Sequence, residues 1–144
     1  GIRVPFIVRW PGIVPEGAET DFMCSFWDLM PTLRELTGQR LDGATDGVSL
    51  MPLLEGRDGQ KEHEYLYFEF QELGGRQAVR KGPWKLVRLN VRGDIDHYEL
   101  YNLDKDPAET NDLSTSNQEK VDELKRIMSE AHVPNRDFPL LKGE

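Results

Sequence analysis

One stretch, residues 63–89 (HEYLYFEFQELGGRQAVRKGPWKLVRL), limits most what this chain can fold into. In residues 65–70 bulky side chains alternate, with Leu66, Phe68 and Phe70 on one side and Tyr65, Tyr67 and Glu69 on the other. That period of two belongs to a strand. Gly74-Gly75 interrupts it, residues 77–80 resume it, Gly82-Pro83 interrupts again, and residues 84–89 alternate once more. Two tight turns between three such runs predict an antiparallel meander. Residues 97–103 (HYELYNL) read as a fourth strand. A capping box at Ser116 and Glu119 opens a helix running to about residue 131. The helix carries an apolar stripe of Val121, Leu124, Ile127, Met128 and Ala131, and an Asp122–Arg126 pair at i,i+4 spacing. It would cover one face of the sheet and leave the other to solvent or another domain.

The first third reads differently. Residues 4–10 (VPFIVRW) are nearly all apolar and end at Pro11-Gly12, the pattern of a strand buried on both faces of a parallel sheet. Such a strand needs neighbours, and the segments that follow offer none. Its sheet is therefore expected upstream, and the chain, which opens without Met, reads as a cut from something longer. Residues 26–37 predict a helix with Phe26, Leu29, Met30, Leu33 and Leu36 at helical spacing and Gly38 as its stop. Pro31 favours Asp28 over Ser25 as N-cap, because only then does the proline fall in the first turn. Residues 40–47 read as a loop, and residues 49–55 as a short helix capped by Ser49. The polar run 57–62 is the expected boundary between two structural units, and 132–144 is a Pro-containing tail.

Composition excludes several classes. A chain of 144 residues is one domain, or a small domain plus part of another. At 38% hydrophobic it can build a core, yet no apolar run approaches the ~20 residues of a membrane span. A net charge of −8 argues against a nucleic-acid binder. Charge is distributed unevenly. Residues 73–93 hold six basic side chains (Arg76, Arg80, Lys81, Lys85, Arg88, Arg92) and no acidic one, leaving −14 on the rest. Such a patch on an acidic chain suits either a specific anionic ligand or a solvated strand face. The single cysteine, Cys24, has no histidine nearby and reads as a small apolar residue before a helix. His63, His97 and His132 stand at no metal-ligand spacing. A calcium loop starting at Asp104 would need Gly and Glu where Glu109 and Thr115 stand, so Asp106-Pro107 reads as turn chemistry.

The basic meander is the best site candidate. With Gly82-Pro83 as a two-residue turn, Arg80 lies opposite Lys85. Opposed like charges destabilise a sheet. Water, a carboxylate such as Glu69 or Glu72, or an anionic ligand would relieve them. The 72–76 turn offers backbone that can approach a ligand closely, and Gln71 and Gln77 suit hydroxyl groups. Gln71, Glu72, Arg76, Gln77 and Arg80 form the candidate substrate-binding set, with structural salt bridges as the competing reading.

These residues also carry a resemblance. Residues 1–12 (GIRVPFIVRWPG), 25–38 (SFWDLMPTLRELTG), 46–54 (DGVSLMPLL), 67–70 (YFEF), 77–86 (QAVRKGPWKL) and 99–109 (ELYNLDKDPAE) follow, in order, the C-terminal portion of formylglycine-dependent sulfatases of the arylsulfatase type. The resemblance implies an α+β fragment. A four-stranded antiparallel sheet with a long C-terminal helix (residues 59–144) would follow a terminal strand and helices of an α/β alkaline-phosphatase-like core (residues 1–58). It implies a parent enzyme that hydrolyses sulfate esters, of sulfated carbohydrates by expectation, and that is exported. Its formylglycine nucleophile, Ca2+ and catalytic Lys and His would lie in the N-terminal core, the expected partner. The nucleophile motif, Cys or Ser followed by x-Pro-x-Arg, is absent here, since Cys24 precedes Ser25, Phe26 and Trp27. No catalytic residue is carried over, and the expected role is one wall of the substrate pocket. In relatives with the Phe-x-Glu pattern the position of Gln71 is often His. The alternatives are a stand-alone glycan- or anion-binding module, and the equivalent part of a related phosphatase or phosphonate hydrolase.

Overall fold

The computed structural model describes residues 2–39, 43–141 and 143–144. Within the loop expected at 40–47, residues 40–42 lie outside the described residues. The chain separates into two compact units, Gly1–His63 and Glu64–Glu144.

In the first unit, residues 4–10 form no strand. Val4 is 73%, Phe6 53% and Ile7 88% exposed. The composition asks for burial on both faces, but a strand exists only against a hydrogen-bonded neighbour. Among the described residues none pairs with this segment. The expected helix begins as a 3-10 turn, Phe26–Asp28, and continues as α1, Leu29–Leu36. Asp28 is the N-cap of α1, and Pro31 sits in the first turn where its missing N–H costs nothing. The apolar stripe, however, largely faces out: Phe26, Met30, Leu33 and Leu36 are exposed, while Pro31 and Thr32 are buried. Helical periodicity reported a face to be covered, and no described residues cover it.

Helix α2, Met51–Glu55, starts one turn position later than expected, with Leu50 as N-cap. Ser49 is not its cap. The Ser49 hydroxyl accepts instead from the Met51 N–H, two residues on, at 3.2 Å. The segment leading into α2 passes close to the 3-10 turn. A Cβ on Gly47 would stand 2.4 Å from the Trp27 carbonyl oxygen, so no larger residue fits there.

The second unit is the sheet and its helix. Strands β1 (Leu66–Phe70), β2 (Arg76–Lys81), β3 (Trp84–Leu89) and β4 (His97–Asn102) pair antiparallel in sequence order. Lys81 pairs with Trp84, which makes Gly82-Pro83 a two-residue turn and sets Arg80 opposite Lys85, as expected from the sequence. Helix α3, Gln118–Ala131, covers one face. Tyr67, Val79, Leu86 and Leu100 line up across the four strands. Val79, Leu86 and Leu100 form the core with Val121, Leu124, Ile127 and Met128, and Tyr65, Tyr67, Trp84 and Tyr98 pack around it. Each fully buried aliphatic side chain contributes about 1.5–3 kcal/mol.

The N-terminus of α3 departs from its expected chemistry. Asn117 is the N-cap, and the Ser116 hydroxyl donates back to the Leu113 carbonyl, so the Ser116–Glu119 capping box does not form. Asp122 accepts from the Gln118 amide rather than pairing with Arg126. Residues 104–117 close the open edge of β4. The Leu113 N–H donates to the Leu100 carbonyl at 2.8 Å, and the Leu100 N–H donates to Asp112 at 2.9 Å. Occupying the edge at Leu100 in this way blunts it as a template for pairing with another chain. Asp106 organises the preceding turn by accepting the N–H groups of Thr110 and Asn111. The Asn111 bond foremost, with help from Thr110, holds its carboxyl below the usual carboxylate range.

Candidate functional site

Strand alternation decides which basic residues can meet a ligand. On β2, Gln77, Val79 and Lys81 face α3, so Arg76, Ala78 and Arg80 face away from it. The two arginines are four residues apart, roughly 13 Å along the strand. Arg76 lies beside the β1–β2 turn, and Arg80 beside the β2–β3 turn.

Four of the six basic side chains are spoken for. Lys81 reaches Glu123 at 3.2 Å, and Arg88 reaches Asp96 at 2.6 Å. Arg92 donates to the Pro139 carbonyl at 2.8 Å. Lys85, only 6% exposed, meets both oxygens of Glu109 at 2.7 and 2.6 Å. Glu109 therefore relieves the opposition of Arg80 and Lys85, and neither Glu69 nor Glu72 does. Its backbone is held at φ 56, an unfavourable conformation for a residue with a Cβ, which the fold maintains while the carboxylate covers Lys85. Arg76 and Arg80 form no ion pair among the described residues. Arg76 is exposed, and Arg80 is half-buried with one long contact, 3.5 Å, to the Gly82 carbonyl.

The five expected site residues separate accordingly. Gln71, Glu72 and Arg76 gather at the β1–β2 turn, and Arg80 lies at the other end of the strand. Gln77 belongs to neither group. It is 3% exposed, its amide nitrogen donates to the Tyr67 hydroxyl at 2.6 Å, and its oxygen accepts from Arg88 at 3.1 Å. With both ends occupied under α3, it cannot contact a ligand.

The turn itself is built in detail. Leu73, Gly74 and Gly75 all have positive φ (54, 82 and 80). The positive φ favours glycine at 74, and a Cβ there would stand 2.4 Å from the Asn90 side-chain oxygen and displace that side chain. The Val91 and Arg92 N–H groups donate to the Gly75 and Gly74 carbonyls at 3.0 and 2.9 Å, tying the β1–β2 turn to the β3–β4 loop. The tail closes over both. Gln71 donates to the Phe138 carbonyl at 2.6 Å, and Leu140 is fully buried. Phe70, Leu73 and Phe138 stay exposed.

Two further clusters escaped sequence reasoning. Asp28, 0% exposed, accepts the N–H groups of Ser25 and Val48 at 2.7 and 2.8 Å, and His63 Nε2 lies 2.8 Å from it. His132 lies between the carboxylates of Glu69 and Glu144. No spacing in the sequence links these partners. Neither cluster includes an activated nucleophile. Burial, then the charge of Asp28, pushes the Cys24 thiol up, which disfavours the thiolate. Among the described residues no group of three or more His, Cys, Asp or Glu side chains could hold a metal ion, and no helix is long and apolar enough to cross a membrane.

Comparison with known proteins sets this geometry in context. The family described as N-sulphoglucosamine sulphohydrolase, C-terminal, matches residues 1–133. Human steryl-sulfatase is 32% identical over 161 aligned residues, covering 91% of this chain and 27% of that protein. The N-acetylgalactosamine-6-O-sulfatase of Bacteroides thetaiotaomicron is 30% identical, covering 89% of this chain and 27% of that protein. The solved structure of BT4656 in complex with D-glucosamine-2-N,6-O-disulfate shares the fold, with a TM-score of 0.72 at 24% identity over 87% of this chain and 27% of that one. The chain thus spans about a quarter of the length of the relatives it matches. With nearly its whole length matched and its sheet and helix in the same arrangement, the chain belongs to the N-sulphoglucosamine sulphohydrolase C-terminal family, the C-terminal region of sulfatases.

Proposed function

We propose that this chain is the C-terminal part of a sulfuric ester hydrolase acting on sulfated carbohydrate, and that it supplies one wall of the substrate pocket and no catalytic group. The observation that carries this reading is the pair of arginines on the β2 face away from α3. Every other basic residue of the meander has an acceptor, and among the described residues no carboxylate pairs with Arg76 or Arg80. A guanidinium offers a planar fork of donors that matches a sulfate or carboxylate oxygen pair, and an unpaired one needs no displacement of a partner before it binds. Gln71 and Glu72 beside Arg76 add an amide and a carboxylate suited to sugar hydroxyls. The relative named N-acetylgalactosamine-6-O-sulfatase supports a saccharide as the alcohol portion of the ester.

The Ca2+ and formylglycine of such enzymes belong to the remainder of the sulfatase; among the described residues no group of three or more His, Cys, Asp or Glu side chains could hold a metal ion. Residues 1–58 then complete the α/β core, where residues 4–10 gain the neighbours they lack and the exposed stripe of α1 gains a cover. Residues 59–144 are the smaller subdomain. The remainder of the sulfatase is the partner, and the enzyme works outside the cytoplasm, where sulfated polysaccharides occur.

An array of sulfated and unsulfated saccharides, with a steryl sulfate as the apolar competitor, tests the reading in a polypeptide joining this chain to a sulfatase catalytic region. Sulfated saccharides bind, more weakly at higher salt, and Arg76→Ala lowers affinity about tenfold or more, as expected for a charge-assisted bond. Equal binding of sulfated and unsulfated saccharides, or affinity unchanged in both Arg76→Ala and Arg80→Ala, overturns it.

A further inference from the structure

The β1–β2 turn is held in place by the tail, and one histidine ties the tail to β1. His132 follows the last residue of α3, where the helix C-terminus favours a cation. Its side chain is 8% exposed. Nδ1 lies 2.5 Å from Glu69 Oε1 on β1, and Nε2 meets Glu144 Oε1 in the tail. The other Glu144 oxygen accepts the N–H groups of Leu140 and Leu141 at 3.0 and 3.1 Å. The stretch so gripped is the one whose Phe138 carbonyl accepts from Gln71, whose Pro139 carbonyl accepts from Arg92, and whose Leu140 packs against Gly75.

We propose that His132 is a pH-operated clasp: its protonated ring fastens residues 138–141 over the β1–β2 turn, and deprotonation releases them. Only the imidazolium has two N–H donors, one for each carboxylate. A neutral ring donates to one and turns a lone pair toward the other, so one side of the clasp opens. The groups facing the ring are Glu69 and the Tyr67 hydroxyl on β1 and Glu144 in the tail. Gln77 and Arg88 stand behind Tyr67, and Arg88 is committed to Asp96. The Tyr67 phenol is pushed well above its usual value, by burial first and then by its bond to Glu69, so it stays protonated while the histidine titrates. Burial of His132 opposes its charge, and the two carboxylates outweigh burial and hold the ring above its ordinary value. The folded form thus binds the proton more tightly. The clasp is complete below about pH 6.5, the free imidazole value, and is lost as pH rises through the held value. Only the consequence for ligands rests on the function proposed above: the clasp would shape the Gln71–Glu72–Arg76 cluster according to pH.

Amide hydrogen exchange on the whole chain, without ligand, tests the clasp independently of saccharide binding. Corrected for intrinsic rate, the Leu140 and Leu141 amides exchange about tenfold or more faster near pH 9 than near pH 6, while β2 and β3 amides keep their protection. In His132→Gln the two tail amides exchange fast and alike at both pH values, and in Glu144→Ala the His132 ring titrates at lower pH. Corrected rates that are flat with pH in the unmodified chain, or pH dependence that survives His132→Gln, overturn the proposal. Failure of saccharide binding with the clasp intact would count only against the ligand reading.

Discussion

Glu109→Ala is expected to lower the unfolding free energy of the chain by about 3 kcal/mol, the low end for a broken buried ion pair because solvent still reaches Glu109. Lys85 is the reason. It is buried near the start of β3, opposite Arg80, and both its short contacts go to Glu109. Removing the carboxylate leaves a desolvated ammonium facing a guanidinium. Alanine keeps a Cβ at the same φ of 56, so backbone strain stays and the loss reports the ion pair. The companion variant is Lys85→Met with Glu109→Gln, which removes both charges and is expected to recover most of the loss. Urea unfolding followed by Trp84 fluorescence, in a background with Trp10 and Trp27 replaced by Phe, measures both. A loss below about 1 kcal/mol in the single variant, in the range of a surface pair, would show that the pair is not effectively buried. Equal losses in single and double variants would remove the uncompensated charge as the cause.

The second large effect is expected at Asp28. Asp28→Ala deprives the Ser25 and Val48 N–H groups and the His63 ring of their common acceptor in a fully buried position. Unsatisfied buried donors cost about 1–3 kcal/mol each, so a total of about 4 kcal/mol is expected. Asp28→Asn is expected to cost about 2 kcal/mol, because one acceptor oxygen remains and the amide nitrogen faces a donor. The damage should spread to α2. The Asp28 carbonyl accepts from the Thr32 hydroxyl, which in turn accepts the Leu50 N–H. Exchange of the Val48 and Leu50 amides reads this directly. Protection of both amides unchanged in Asp28→Ala would mean that other contacts hold the segment.

The strands were legible in the sequence because three things agreed on them: alternation, turn residues at both ends, and a two-residue Gly-Pro gap that allows only one register. The apolar stripe of α3 was legible for the same reason, since Val121, Leu124, Ile127 and Met128 find their partners on an adjacent face. Patterns whose partner lies elsewhere were read less well. Residues 4–10 and the α1 stripe say what a segment would bury, and they are silent on whether this chain provides the cover. Ser49 and Ser116 show the limit of capping rules, because each hydroxyl found a backbone group two or three residues away and left the cap position to a neighbour. The misplacement of Gln77 was avoidable. Arg76 and Arg80 share parity and Gln77 does not, so the alternation that defined β2 already put it on the other face. Glu109, Glu144 and His63 could not have been found in that way. Each partner is brought in by a loop or the tail across 24, 12 and 35 residues of sequence, with no periodicity linking the pairs.

The central claim is that this chain shapes the substrate pocket of a sulfatase without supplying its chemistry. Steady-state kinetics of Arg76→Ala, in a polypeptide joining this chain to a sulfatase catalytic region, test it most directly when a sulfated oligosaccharide and a small aryl sulfate are compared. The predicted result is a rise in KM of about tenfold for the oligosaccharide, with kcat/KM for the aryl sulfate unchanged, because only the larger substrate reaches the wall. An equal fall in kcat for both substrates would place Arg76 in the chemical step and contradict the account, as would no change for either.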